Sequence, residues 1–143
     1  MSTENLLEKI LTAPVGKVVD VLAEILNSDI KLLTIEQNTV SPHKFERKVT
    51  ITSDELPVIK AQVKFDSTVI PEFILEELLK KKQGIGSILT QNNINATRKV
   101  ISLNQNTEEN KATREYEIII DGTVWFTILE EIRLDSLGTS KNS

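Results

Sequence analysis

Two long runs, "KATREYEIII" and "TVWFTILEEIRLD", are separated only by Asp121-Gly122. Both alternate apolar and polar residues with the period of a strand, and Asp-Gly readily adopts the two positive φ angles of a tight hairpin turn. So short a connection has no room for a crossover, so the two strands must be antiparallel neighbours. The same logic applies earlier. "HKFERKVTITS" and "VIKAQVKF" flank the turn "DELP", punctuated by Asp54 and Pro57. In the second of these runs Ile59, Ala61, Val63 and Phe65 share one face, and Lys60, Gln62 and Lys64 share the other. "DIKLLTIEQNTV" and "NATRKVISLN" complete a set of six strands.

Helical spacing occupies the remaining stretches. "STENLLEKIL" opens with Ser2 or Thr3 as N-cap. After Pro14, residues Val15, Val18, Val19, Leu22, Ile25 and Leu26 recur at helical intervals until Asn27-Ser28. "PEFILEELLKKK" puts Pro71 in a first turn and Ile74, Leu75, Leu78 and Leu79 on one side, with Gln83-Gly84 as its stop. "IGSILTQNN" is a shorter helix. Helices thus precede the first strand and separate the third from the fourth. The predicted class is α+β: a six-stranded antiparallel sheet with helices packed on one face. With 143 residues the chain fits one domain over 1–143, ending in a frayed polar tail, "SLGTSKNS", over 136–143. No internal repeat is legible.

Composition removes several kinds of chemistry. The absence of cysteine excludes disulfides, thiolate metal sites and a Cys nucleophile. One histidine, His43, cannot supply a His set for a metal and makes a Ser-His-Asp triad hard to build. No carboxylate cluster has metal spacing. A net charge of −4 with no basic stripe, and only one Trp, one Tyr and four Phe, argue against nucleic acid as a partner. No apolar run is long enough to span a membrane, and the N-terminus does not read as a secretory signal, so the expected location is the cytoplasm. Lys80-Lys81-Lys82 reads as a solvated helix end. Gly84-Ile85-Gly86 lacks a preceding strand and a Lys-Ser/Thr pair, so it reads as a turn between helices rather than a phosphate loop.

Against this background, four charged residues fall in the wrong rows. Arg47 shares a strand face with Phe45, Val49 and Ile51. Arg114 shares one with Tyr116, Ile118 and Ile120, and Arg98 shares one with Val100 and Ser102. Glu130 lies in the row Val124, Phe126, Ile128, Ile132, Leu134, while Glu131 falls opposite with Trp125, Thr127 and Arg133. An unpaired buried charge costs several kcal/mol, roughly, even after relaxation. Two readings follow. Arg47 and Glu130 pair with each other or reach out to a sheet end. Alternatively, they line an enclosed pocket and face a polar, anionic ligand, for which the planar guanidinium fork is suited.

The order of elements and several strings resemble the chorismate lyase (chorismate pyruvate-lyase) family, from about Leu6 to Leu134. The strings are "LLEKILTAPVGKVVDVLAEILNSDIKLLTIEQ", the strand-turn-strand from Arg47 to Pro57, "FDSTVIPEFILEELLKKKQGIGSILTQNNINATRKV", and the closing hairpin "REYEIIIDGTVWFTILEEIRL". The resemblance implies elimination of pyruvate from chorismate to leave 4-hydroxybenzoate, with no metal or organic cofactor. It matches Arg47 to an arginine that holds a carboxylate. Glu130, with Glu131 as fallback, matches a glutamate near the ring oxygen. Val15 and Gly86 lie in segments that would contact the ligand. Where the family has a second arginine this chain has Gln62 or Val63, and Lys60, Lys64, Arg98 and Arg114 are the cations available to compensate. Gly84 stands where the family has Pro. The implied partner is a small aromatic or cyclic carboxylate; a separate reading is a homo-oligomer, such as a homodimer, whose charges form structural pairs. The fold also resembles the effector-binding domain of some bacterial transcription regulators, which makes a non-catalytic sensor the alternative. Those regulators carry a separate DNA-binding domain, for which this length leaves no room.

Overall fold

The computed structural model describes residues 3–106 and 108–139. Its strands are β1 (Ile30–Ser41), β2 (Lys44–Ser53), β3 (Leu56–Asp66), β4 (Thr97–Asn106), β5 (Lys111–Ile120) and β6 (Thr123–Arg133). Its helices are α1 (Thr3–Thr12), α2 (Val18–Leu26), α3 (Glu72–Leu79), α4 (Ile85–Gln91) and α5 (Leu134–Thr139). The sheet runs β1-β2-β3-β6-β5-β4 and every neighbouring pair is antiparallel. The α+β sheet with helices on one face is therefore the architecture.

The hairpin chemistry acts where it was expected. Asp121 and Gly122 take φ 50 and 77, the left-handed pair that matches strand twist. The turn between β2 and β3 is tighter than "DELP" suggests. Asp54 and Glu55 carry it at φ 47 and 73, and Pro57 already lies in β3. It sits beside a register shift between Ile51 and Thr52 and ahead of the first β6 pairing at Ile59, so its missing N–H costs the ladder little.

Two helix expectations need correcting. α3 stops at Leu79 rather than running through the lysines, because Lys81 turns left-handed at φ 55. Lys80 is the C-cap of α3 and all three lysines are exposed, so they form the solvated helix end that the sequence suggested, with the helix itself one turn shorter. The chain beyond Arg133 is not frayed at Ser136: α5 forms there, Leu137 is fully buried, and Ser136 Oγ donates to Pro57 O at 2.8 Å. An apolar side chain docked under a short helix outweighs the small, polar composition that suggested a tail. Positions 140–143, and Ser2 as an N-cap, lie outside the described residues.

The element order contains a repeat that the residues hide. α1-α2-β1-β2-β3 is followed by α3-α4-β4-β5-β6, and the two three-stranded halves meet where β3 pairs with β6. Counterparts stand 67 positions apart: Leu11 and Leu78, Leu22 and Leu89, Arg47 and Arg114, Asp54 and Asp121. Most other positions differ at that offset, so composition alone does not reveal it.

Each helix pair covers its own stretch of the sheet. α3 and α4 bury Ile74, Leu78, Ile85, Ile88 and Leu89 against Val63, Phe65, Tyr116, Ile118, Phe126 and Ile128. α1, α2 and α5 bury Leu6, Ile10, Leu22, Leu26 and Leu137 against Ile59, Ala112 and Ile132. Burial of each such side chain contributes roughly 1.5–3 kcal/mol. Between the two apolar clusters runs a polar seam, and the misplaced charges lie along it.

Candidate functional site

The seam is set by register. Arg47 faces Val63 across β2 and β3, and Val63 faces Ile128, which faces Tyr116. One step along, Val49 faces Ala61, Ala61 faces Glu130, and Glu130 faces Arg114. Arg47, Arg114 and Glu130 are 0, 1 and 4 % exposed. Charged side chains are almost never this buried unless paired, so the partners decide what each one does.

Each nitrogen of Arg47 meets an uncharged acceptor. Its Nε donates to Gln37 Oε1 at 3.0 Å, one terminal nitrogen donates to Gln83 O at 2.8 Å, and the other donates to Leu78 O at 2.8 Å. It thus closes the C-terminal end of α3, where unpaired carbonyls and the helix dipole favour a cation. Among the described residues no carboxylate forms an ion pair with it. Burial pushes its pKa down to about 10, and it stays cationic at neutral pH.

Arg114, its counterpart in the second half, is held differently. Its Nε donates to Glu130 Oε1 at 2.7 Å and Nη1 donates to Leu11 O, near the C-terminal end of α1, at 3.0 Å. Tyr116 donates its hydroxyl to the other Glu130 oxygen at 3.2 Å. Burial, followed by the Glu130 charge, raises the phenol pKa above its ordinary value. Arg98, half-buried on the edge strand β4, donates Nη1 to Ala13 O at 2.6 Å. The guanidinium carbons of Arg98 and Arg114 lie 4.9 and 4.7 Å from the Tyr116 ring centroid, within cation–π range.

Three buried polar side-chain atoms lack a partner among the described residues: Arg114 Nη2, Arg98 Nε and Gln83 Oε1. All three border the seam. A buried group left unpaired costs roughly 1–3 kcal/mol, so their concentration at one place is unusual for a region serving packing alone.

The seam is roofed by the turn between α1 and α2 and by the start of α4. Gly16, at φ 87, meets Gly86 backbone to backbone: a Cβ built on Gly86 would lie 2.5 Å from Gly16 Cα. Val15 packs beside this contact in the α3–α4 cluster. Gly86 is therefore inside α4, not in the turn that the sequence suggested, and what its spacing serves is this close approach.

The structure divides the residues singled out in the sequence. Arg47, Arg98, Arg114 and Glu130 face the helices, and Val15 and Gly86 lie in the roof. Gln62 and Glu131 are on the opposite, open face, where they line a trough of about 570 Å³ with Lys48, Lys60, Lys111 and Leu129. Glu131 is held there by Lys111 at 3.0 Å. Glu130 is thus the inward carboxylate of the pair, and Gln62 cannot replace a second arginine from its side of the sheet. Arg47 and Glu130 do not pair with each other; they sit two strands apart, about 10 Å across the sheet, each with its own partners. Tyr116, Gln37 and Gln83 were missed. Tyr116 was legible as the residue two places from Arg114 on the same face, whereas Gln37 and Gln83 carried no signal beyond polarity. Among the described residues no group of carboxylates or histidines could hold a metal ion, and no helix is long and apolar enough to cross a membrane.

No protein-family model matches the chain, and no curated protein matches its sequence. Solved structures do resemble it. The effector domain of PhnF from Mycobacterium smegmatis superposes with a TM-score of 0.53 at 11 % identity, covering 86 % of this chain and 91 % of that one. A GntR-family transcriptional regulator from Bacillus cereus gives a TM-score of 0.47 at 10 % identity over 76 % of this chain and 92 % of that one. At such identities the likeness to the effector domain is one of fold: this chain shares that α+β architecture, with its antiparallel sheet and one-sided helices.

Proposed function

We propose that the chain is a non-catalytic binding module for a small aromatic or cyclic carboxylate, with the seam as its site. The observation that carries this reading is the charge balance on the helix-covered face. Among the described residues, three guanidinium groups, of Arg47, Arg98 and Arg114, stand against the single carboxylate of Glu130, and Arg98 and Arg114 each keep a buried donor without an acceptor. An anionic guest supplies both the missing charge and the missing acceptor. The likeness of fold to a regulator's effector domain favours the same reading, since that domain is named for responding to an effector.

The lyase reading rests on Arg47 and Glu130 facing the same side. In it, arginine screens the charge that develops as the C–O bond of chorismate breaks, and Glu130 addresses the ring oxygen. Against it stands the occupancy of both residues: the three nitrogen donors of Arg47 are in use, and both Glu130 oxygens accept hydrogen bonds from Arg114 and Tyr116. Placement in the cytoplasm and assembly as a homodimer belong to the same proposal.

Incubation of the purified protein with chorismate, with 4-hydroxybenzoate and pyruvate assayed, separates the two. The expected result is no product above the spontaneous background, together with calorimetric binding of 4-hydroxybenzoate. Turnover would restore the lyase. Neither turnover nor binding of any small carboxylate would end the binding reading.

A further inference from the structure

We infer that the guest's anionic group is received by Arg114 and Arg98 around the Tyr116 ring, and that Arg47 is a helix clamp that takes no part in binding. This rests on reading the seam as the ligand site, and it departs from the family resemblance, which gives the carboxylate to Arg47.

The comparison of counterparts carries it. Arg47 and Arg114 occupy the same place in the two halves, each facing the third strand of its half, at Val63 and Glu130 respectively. Each reaches a carbonyl near the end of the first helix of the other half, Leu78 O and Leu11 O. They differ in what the third nitrogen finds. For Arg47 it is a second carbonyl, Gln83 O, at 2.8 Å. For Arg114 none is found among the described residues: Nη2 is buried and unpaired there. The one nearby group that shares its situation is Arg98 Nε, on a guanidinium that packs on the same ring and is tied to Ala13 O, two residues from the carbonyl that Arg114 uses. Two unpaired N–H donors from two arginines, both anchored to the end of α1, form a receptor for two acceptor oxygens.

The charge of the guest follows. Arg98, Arg114 and Glu130 sum to a single positive charge, with Tyr116 protonated. A monoanion balances it, whereas a phosphate dianion overshoots and brings repulsion against Glu130. A carboxylate fits in charge and brings two acceptor oxygens for the two donors. Because Glu130 occupies Arg114 Nε, the guest approaches from the Nη2 side, beneath the turn that carries Gly16.

The chain has four arginines, so the side-chain Nε–H resonances of ¹⁵N-arginine-labelled protein give four assignable probes. Titration with 4-hydroxybenzoate, benzoate, formate and inorganic phosphate at constant ionic strength should move the Arg98 and Arg114 signals and leave that of Arg47 in place. The carboxylates should bind ahead of phosphate. Arg98→Gln should weaken binding roughly tenfold or more, the size of a lost charge-assisted bond; Arg98→Lys, which keeps the charge and loses the fork, stands in if the first variant fails to fold. Binding that moves the Arg47 signal and survives both Arg98 changes would overturn this assignment while leaving the seam as a ligand site. Phosphate binding more tightly than every carboxylate would overturn the monoanion. No movement of the Arg47, Arg98 or Arg114 signals with any of these probes would overturn the inference and the ligand site together.

Discussion

Arg47 and Arg114 are the same residue in two copies of one architectural unit, and the unit has solved the problem of a buried guanidinium in two ways. In the first half the solution is neutral: a side-chain amide and two backbone carbonyls absorb the donors, no counter-ion is present, and Val63 fills the space across the strand. In the second half the solution is ionic: Glu130 takes the place of Val63, a tyrosine hydroxyl completes the carboxylate, and one donor is left over. A neutral solution is closed, since each acceptor belongs to the chain. An ionic one with a spare donor remains open to a guest. Position in the fold thus sets the direction of each arginine, and the residue opposite sets what it can do.

The largest expected effect breaks the ionic half. Glu130→Leu leaves Arg114 buried with no counter-charge and should cost about 3–5 kcal/mol in urea unfolding. Adding Arg114→Met to it should restore part of that loss, because an apolar pair replaces an ion pair better than half of one does. If the double variant is less stable than the single, the arginine is held by its carbonyl rather than by Glu130.

Breaking the neutral half should cost less. Arg47→Met strands the carbonyls of Leu78 and Gln83 but no charge, so a loss of roughly 2–3 kcal/mol is expected, with fraying at the end of α3 seen as faster amide exchange there. A loss as large as that of Glu130→Leu would show that Arg47 has an ionic partner after all. Gly86→Ala tests the contact between the halves. A methyl 2.5 Å from the Gly16 Cα must push two backbones apart, at roughly 1–2 kcal/mol by thermal unfolding.

The smallest effect is the most diagnostic. Tyr116→Phe removes one hydrogen bond, worth about 1 kcal/mol. The raised phenol pKa also has a pH signature. The folded state holds the proton above pH 10, where an unfolded tyrosine loses it, so the wild type loses stability as pH rises through and beyond about 10. In the phenylalanine variant that component is absent. The stability gap between the two proteins, constant below pH 9, should therefore narrow on the alkaline side. A gap that stays constant to pH 11 would mean that the hydroxyl is reached by water.

Much of this was legible from alternation alone. Period two placed Arg47, Arg98, Arg114 and Glu130 on the side where apolar neighbours lie, and Asp121-Gly122 fixed the closing hairpin. What could not be read is who meets whom. Arg47 and Glu130 were natural partners by charge, yet register puts Arg114 directly opposite Glu130. The acceptors of Arg47 are mostly backbone carbonyls, which no side-chain pattern announces. Glu130 and Glu131 were alternatives only as matches to the glutamate of the resembled family; the burial of Glu130 agrees with the row that alternation gave it. The repeat escaped because a fold constrains direction and burial more than identity, so the two halves could diverge almost everywhere except at two leucines, one lysine, one arginine, one isoleucine and one turn aspartate.

The meeting of Gly16 with Gly86 has a consequence for motion. An exposed side chain rotates in picoseconds to nanoseconds. Here the Gly16 and Gly86 backbones touch directly, with the Thr90 hydroxyl beside them. Main chain rests on main chain, so parting the two halves at this point requires a concerted shift of the Gly16 turn against α4, slower than a side-chain rotation.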